Sequence, residues 1–137
     1  MEEAMTTNNT KNYRQQGGAV DNIGGTLNIL QGGNLTHAVT TLAAAGNSQS
    51  TAAVITSDIV TVTGADATKG VILPPMLVGE VTWVINTSAA ACPVYPQGTG
   101  TINALSASAA ISVAAASSAE FIQVTSTNVR TIPTIPS

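Results

Sequence analysis

Apolar and polar positions alternate most regularly after Asp58. Apolar or β-branched segments begin near Ile59, Val71, Val81, Cys92, Thr101, Ile111, Glu120 and Asn128, at intervals of roughly 8 to 12 residues, a spacing that predicts short strands of an all-β sandwich or barrel. The separators suit that reading: Gly64 to Gly70, Pro74-Pro75 with Gly79, Thr87 to Ala91, and Pro96-Gln97-Gly98-Thr99-Gly100 all turn a chain readily. Residues 58–137 are therefore expected to form a small β-sandwich or barrel-like, jelly-roll-like domain. Val81, Trp83 and Ile85 share one face of a predicted strand and are its leading core candidates. Phe121 and Val124 fall on opposite faces by parity, as on a strand between a subunit core and an interface. Leu73, Val94 and Ile102 complete the set assigned to the core or a subunit interface.

The pattern differs upstream. Met1 to Gln16 are rich in Thr, Asn and Gln without apolar periodicity and read as a leader. A Gly-punctuated unit follows, in which Leu27 and Ile29 alternate with Thr26 and Asn28 between Gly24-Gly25 and Gly32-Gly33. A single short strand builds no core, so residues 1–35 are expected to be an extended arm that adds to another sheet. Residues 36–57 thin to Ala, Thr, Ser and Asn around Gly46 and are taken as a connector; Ala38 to Ala45 has length for about two helical turns but no apolar stripe.

Composition narrows the function classes. Of 137 residues only 8% are charged and 3% aromatic, against 44% apolar. Five of the charges, Glu2, Glu3, Lys11, Arg14 and Asp21, sit in the first 21 positions. A net charge of -3 with four basic residues leaves no phosphate-neutralising patch, which speaks against nucleic-acid binding. The uncharged runs are broken by Gly, Asn, Pro and Ser, so no membrane span is expected. The acidic, polar start Met1-Glu2-Glu3 is unlike a secretory signal, and the lone Cys92 forms no intrachain disulfide. A β-domain with one Trp and one Phe has little large apolar surface of its own, and small scaffolds without staples commonly oligomerise.

Candidate chemistry is sparse. His37 is the only histidine, which excludes multi-His zinc sites, and it lies in the connector, where an exposed residue is expected and not a catalytic base. Asp58, Asp66 and Glu80 lack a calcium-loop spacing. Glu80 and Glu120 as paired glycosidase acids lack surrounding sugar-binding groups. Gly98-Thr99-Gly100 and Gly64 to Gly70 match no phosphate-binding motif. No catalytic residue, metal or cofactor is assigned.

Asn12-Tyr13-Arg14-Gln15-Gln16-Gly17-Gly18, followed by Ile23-Gly24-Gly25-Thr26-Leu27-Asn28-Ile29 and Gly32-Gly33, resembles the amino-terminal order of head fiber proteins of tailed bacteriophages. Val71-Ile72-Leu73-Pro74, Val81 to Asn86, Val94-Tyr95-Pro96 and Gly100 to Leu105 look like the β-domain of small phage capsid decoration proteins. The resemblance implies a cement protein on the outer surface of the phage head, made in the host bacterial cytoplasm and assembled as a homotrimer. It implies a capsid-binding arm of Tyr13, Arg14, Gln15, Gln16, Gly17, Gly18, Ile23, Gly24, Gly25, Thr26, Leu27 and Ile29, with the major capsid protein as partner. The long helical or repetitive extension of true fibers is missing. The rival readings are a head-displayed adhesin for host surface or glycans, using Trp83 and Tyr95, and a cell-wall hydrolase.

Overall fold

A computed structural model of the chain describes Gln31 and residues 33–133. Thr36–Ser137 make up one compact unit. All regular structure in the described residues is β: β1 (Val39–Ala43), β2 (Ala53–Val54), β3 (Ile59–Thr63), β4 (Val71–Ile72), β5 (Val81–Asn86), β6 (Cys92–Tyr95), β7 (Thr101–Ile102), β8 (Ile111–Val113), β9 (Ser117–Gln123) and β10 (Asn128–Ile132). Seven strands start where the spacing predicts, and β9 starts at Ser117 instead of Glu120. Turn chemistry explains the agreement, because Gly and Pro punctuate the chain wherever a strand must end.

The all-β class holds, but the strand order is that of a solenoid more than of a jelly roll. β1, β3 and β5 lie side by side and parallel in a six-stranded sheet ordered β1-β3-β5-β9-β10-β7. β2, β4 and β6 do the same in a four-stranded sheet ordered β2-β4-β6-β8. The chain thus alternates between the two sheets, one coil being β1–β2, the next β3–β4 and the third β5–β6. Val39, Ile59 and Trp83 occupy one register row across the stack. β9 and β8 then run antiparallel to β5 and β6 and close the third coil. Jelly rolls pair antiparallel strands, and the even strand spacing is common to both plans.

The stretch expected to be a connector, residues 36–57, instead carries β1 and β2 and is the first coil. Its Thr and Ala residues form strands because β3 and β4 supply a ready edge, with Ile59 N–H donating to the Ala38 carbonyl and Ala44 N–H to the Thr63 carbonyl. Coils must also approach closely. Gly70, between β3 and β4, lies so near the Pro93 carbonyl that a Cβ there would collide with it, and Gly46 takes a positive φ of 66° in the first coil.

Between the sheets lies one core, built from Val60, Val62, Val71, Leu73, Val84, Cys92, Val94, Ile102, Ile111, Val113, Phe121 and Val129. Leu73, Val94, Ile102 and Phe121 of the sequence-assigned set belong to it. The expected core face of β5 does not: its inward residues are Thr82, Val84 and Asn86, while Val81 and Trp83 are half-buried and Ile85 is exposed on the outer face. On the inner face Val84 lies beside Val60 of β3 and Ala119 of β9 in one register row, and these small buried side chains pack together there.

Asn86 belongs inside because it satisfies carbonyls there. Its amide donates to Ala90, Val113 and Ala114 at 2.8, 3.1 and 3.0 Å, and its oxygen accepts the Ser88 N–H at 3.0 Å. Ser88 in turn accepts the Ala65 N–H through its hydroxyl. This buried network ties the end of the third coil to the β3–β4 and β8–β9 turns.

Candidate functional site

The turns that lead into β1, β3 and β5 stack on one side of the coils. Each brings an ionisable side chain just ahead of its strand: His37 before β1, Asp58 before β3, Glu80 before β5. Together with Pro75, Met76 and Trp83 they line a cavity of about 500 Å³. A smaller cavity of about 240 Å³ adjoins it, sharing Pro75 and Met76 and extending to Gln97, Gln123, Ser126 and Thr127. The two form one groove along the Pro74–Glu80 loop.

Side chains in the larger cavity hold one another in place. The His37 ring packs edge-on against Trp83, centroids 5.1 Å apart and planes at 65°. Its Nδ1 lies 3.3 Å from Asp58 Oδ2. Trp83 Nε1 donates to Glu120 Oε2 at 3.3 Å, which fixes the indole from the other side. Glu80 Oε2 accepts the Leu77 N–H at 2.7 Å, closing the loop. Thr82 Oγ1 donates to the Met76 sulfur at 3.2 Å and anchors the groove floor. No Lys or Arg lines either cavity.

Asp66 does not join Asp58 and Glu80. It sits in the turn after β3, where hydrogen bonds from the Thr68 hydroxyl and N–H, with Lys69 beside it, hold its carboxyl below the usual carboxylate range. Among the described residues no three His, Cys, Asp or Glu side chains gather as metal ligands. Cys92 is buried in the core, and loss of solvation pushes its thiol up to about 11. Glu80 and Glu120 are held by different partners, Glu80 lining the groove and bonded to the Leu77 N–H, Glu120 accepting from Trp83 Nε1.

A second surface lies beyond the groove. Register places Val39, Ile59, Trp83, Glu120 and Ile132 in one row of the outer face, Val81, Ile122 and Arg130 in the next, and Ile85 on the other side of the first. Val39, Ile132, Val124 and Ile85 are 63%, 55%, 42% and 36% exposed. Exposed large apolar side chains on the solvent side of a sheet make a candidate contact face. Val81 and Ile85, assigned from sequence to core or interface, lie on it, and Val124, assigned with them, is exposed just past the end of β9. Tyr95 is elsewhere, donating its hydroxyl to the Asn47 carbonyl at 2.8 Å.

The arm residues 13–29 lie outside the described residues. Sequence reasoning groups Asp58 and Glu80 with Asp66, sets the three aside for want of a calcium-loop spacing, and does not join His37 to Asp58 and Glu80. The usable signal was their equivalent place ahead of successive strands, with register rows 20 and 24 residues apart, within the range of solenoid repeats. Among the described residues no helix is long and apolar enough to cross a membrane. Compared with known proteins, the chain matches no family model, no curated protein and no solved structure.

Proposed function

We propose that this chain is a non-enzymatic decoration protein of a tailed-bacteriophage head. It self-associates, as a homotrimer, through the outer face of its six-stranded sheet and grips the major capsid protein with its amino-terminal arm. The observation that carries the self-association is the exposure of Val39, Ile85 and Ile132 on the outer face, with exposed Val124 just past β9. The face also bears Arg130, which makes no ion pair among the described residues, and the carboxylate of Glu120, so a second copy can present opposite charge to each. The capsid partner is supported by the resemblance at residues 12–33. Three arms on one trimer raise the effective concentration of the second and third contacts, so weak strand additions sum to a firm clamp.

Light scattering of the full chain is expected to give a trimer, and Ile85→Asp with Val124→Asp to give monomers. Deleting residues 1–30 is expected to leave the trimer and abolish binding to undecorated heads. A monomeric full chain overturns the association, and normal decoration by the truncated protein overturns the arm.

The adhesin reading has one specific observation in its favour. Trp83 is not sealed in the core but lines the larger cavity beside two carboxylates.

A further inference from the structure

We infer that the groove along the Pro74–Glu80 loop is a binding site for an uncharged oligosaccharide. The inference deepens the adhesin reading, resting like it on Trp83 in the larger cavity, and is independent of the capsid reading.

Size is the first support. The larger cavity, about 500 Å³, falls within the range of small-molecule clefts, and its continuation past Met76 makes the groove elongated, suited to a chain of rings. Charge is the second. With Asp58 and Glu80 on one end and no Lys or Arg on either, the groove repels phosphorylated, sulfated or uronic ligands. The other end is neutral, lined by Gln97, Thr99, Gln123, Ser126 and Thr127. A cationic peptide would find countercharge at the first end only.

Hydrogen-bonding capacity is the third. Gln97 and Gln123 each donate an amide N–H, to the carbonyls of Leu73 and Thr125 at 2.7 and 2.6 Å. Their amide oxygens keep acceptor capacity, as does Glu80, whose other carboxylate oxygen is not engaged by Leu77. Acceptors spaced along a groove suit a ligand that carries many hydroxyl donors. Trp83 supplies the complementary apolar surface. Held by His37 and Glu120, it loses little freedom when a ring's C–H face packs on it.

Because Trp83 is the only tryptophan, its emission reports directly on the groove. The full chain is titrated with linear oligomers of glucose and of N-acetylglucosamine, with a uronic-acid oligomer and an arginine-rich peptide as controls. A neutral oligomer is expected to shift the emission saturably while both controls leave it unchanged. Glu80→Gln and Thr127→Ala, each shown folded by circular dichroism, are expected to weaken that binding, Glu80→Gln by about tenfold. Absence of a shift with every neutral oligomer, preference for the peptide, or binding unchanged in both variants overturns the assignment. Light scattering of the same samples reads association separately, so failure of the site and failure of the trimer are told apart.

Discussion

The first and third coils have the same plan and opposite circumstances. β5 lies between β3 and β9, and β6 between β4 and β8, whereas β1 and β2 each pair with one neighbour among the described residues. β5 buries every second side chain, while β1 is exposed along its length except at half-buried Leu42. Both are extended strands of similar length. The contrast teaches that strand formation in this molecule follows from position in the stack, and that the third coil carries the stability on which the first is templated.

Substitutions at five positions, one pH titration and one hydrogen-exchange comparison would break or sharpen that contrast. The largest effect is expected at Phe121, which faces Thr82 of β5 across the sheet and is fully buried. Phe121→Ala should cost about 3–5 kcal/mol in urea unfolding, a large share of a typical domain's stability. Asn86→Ala strands the carbonyls of Ala90, Val113 and Ala114 and should cost about 2–3 kcal/mol. Asn86→Asp, which lacks the donors, should be no better.

In the first coil the expected cost is smaller. Leu42→Ala should lose about 1–2 kcal/mol, since this side chain is only partly covered. A loss equal to that of Phe121→Ala would erase the difference between the coils.

Cys92 tests the third coil by pH. Below the thiol's ordinary value of 9.0 both folded and unfolded chains keep the proton; above it the unfolded chain releases its proton first, because burial raises the folded value to about 11. Stability should therefore fall as pH rises from about 9 through about 11. Cys92→Ala should flatten that part of the profile relative to the parent chain, and an identical slope in both would place the thiol in solvent.

Thr41→Ala, on the outer face of β1, should change stability by no more than about 0.5 kcal/mol. In the parent chain, the amides of Val39, Thr41 and Ala43, turned away from β3 by the parallel alternation, should exchange hydrogen faster than those of β5. Equal protection in the two strands would mean that β1 has a partner along its outer edge.

Strand positions from Ile59 onward were legible because they depend on local signals: β-branched residues in alternation, ended by Gly and Pro. β1 was not, since Val39-Thr40-Thr41-Leu42-Ala43 has neither a strong apolar face nor a turn at its start, and only the β3 edge makes it a strand. The groove was hidden for a related reason. His37, Asp58 and Glu80 are far apart in the chain and meet only because parallel stacking superposes the turns ahead of their strands.

The sequence by itself determined the all-β class, most strand positions and the scarcity of charge, since period-two alternation and turn residues act within a few positions. Which face of a strand turns inward was decided by the tertiary structure. On β5, hydrophobicity alone favours Val81, Trp83 and Ile85, yet Thr82, Val84 and Asn86 are buried. Alternation creates two faces without ranking them. The ranking comes from the tertiary neighbours, since Val84 packs beside Val60 and Ala119 and the Asn86 amide satisfies the carbonyls of Ala90, Val113 and Ala114. That choice also leaves Trp83 on the groove.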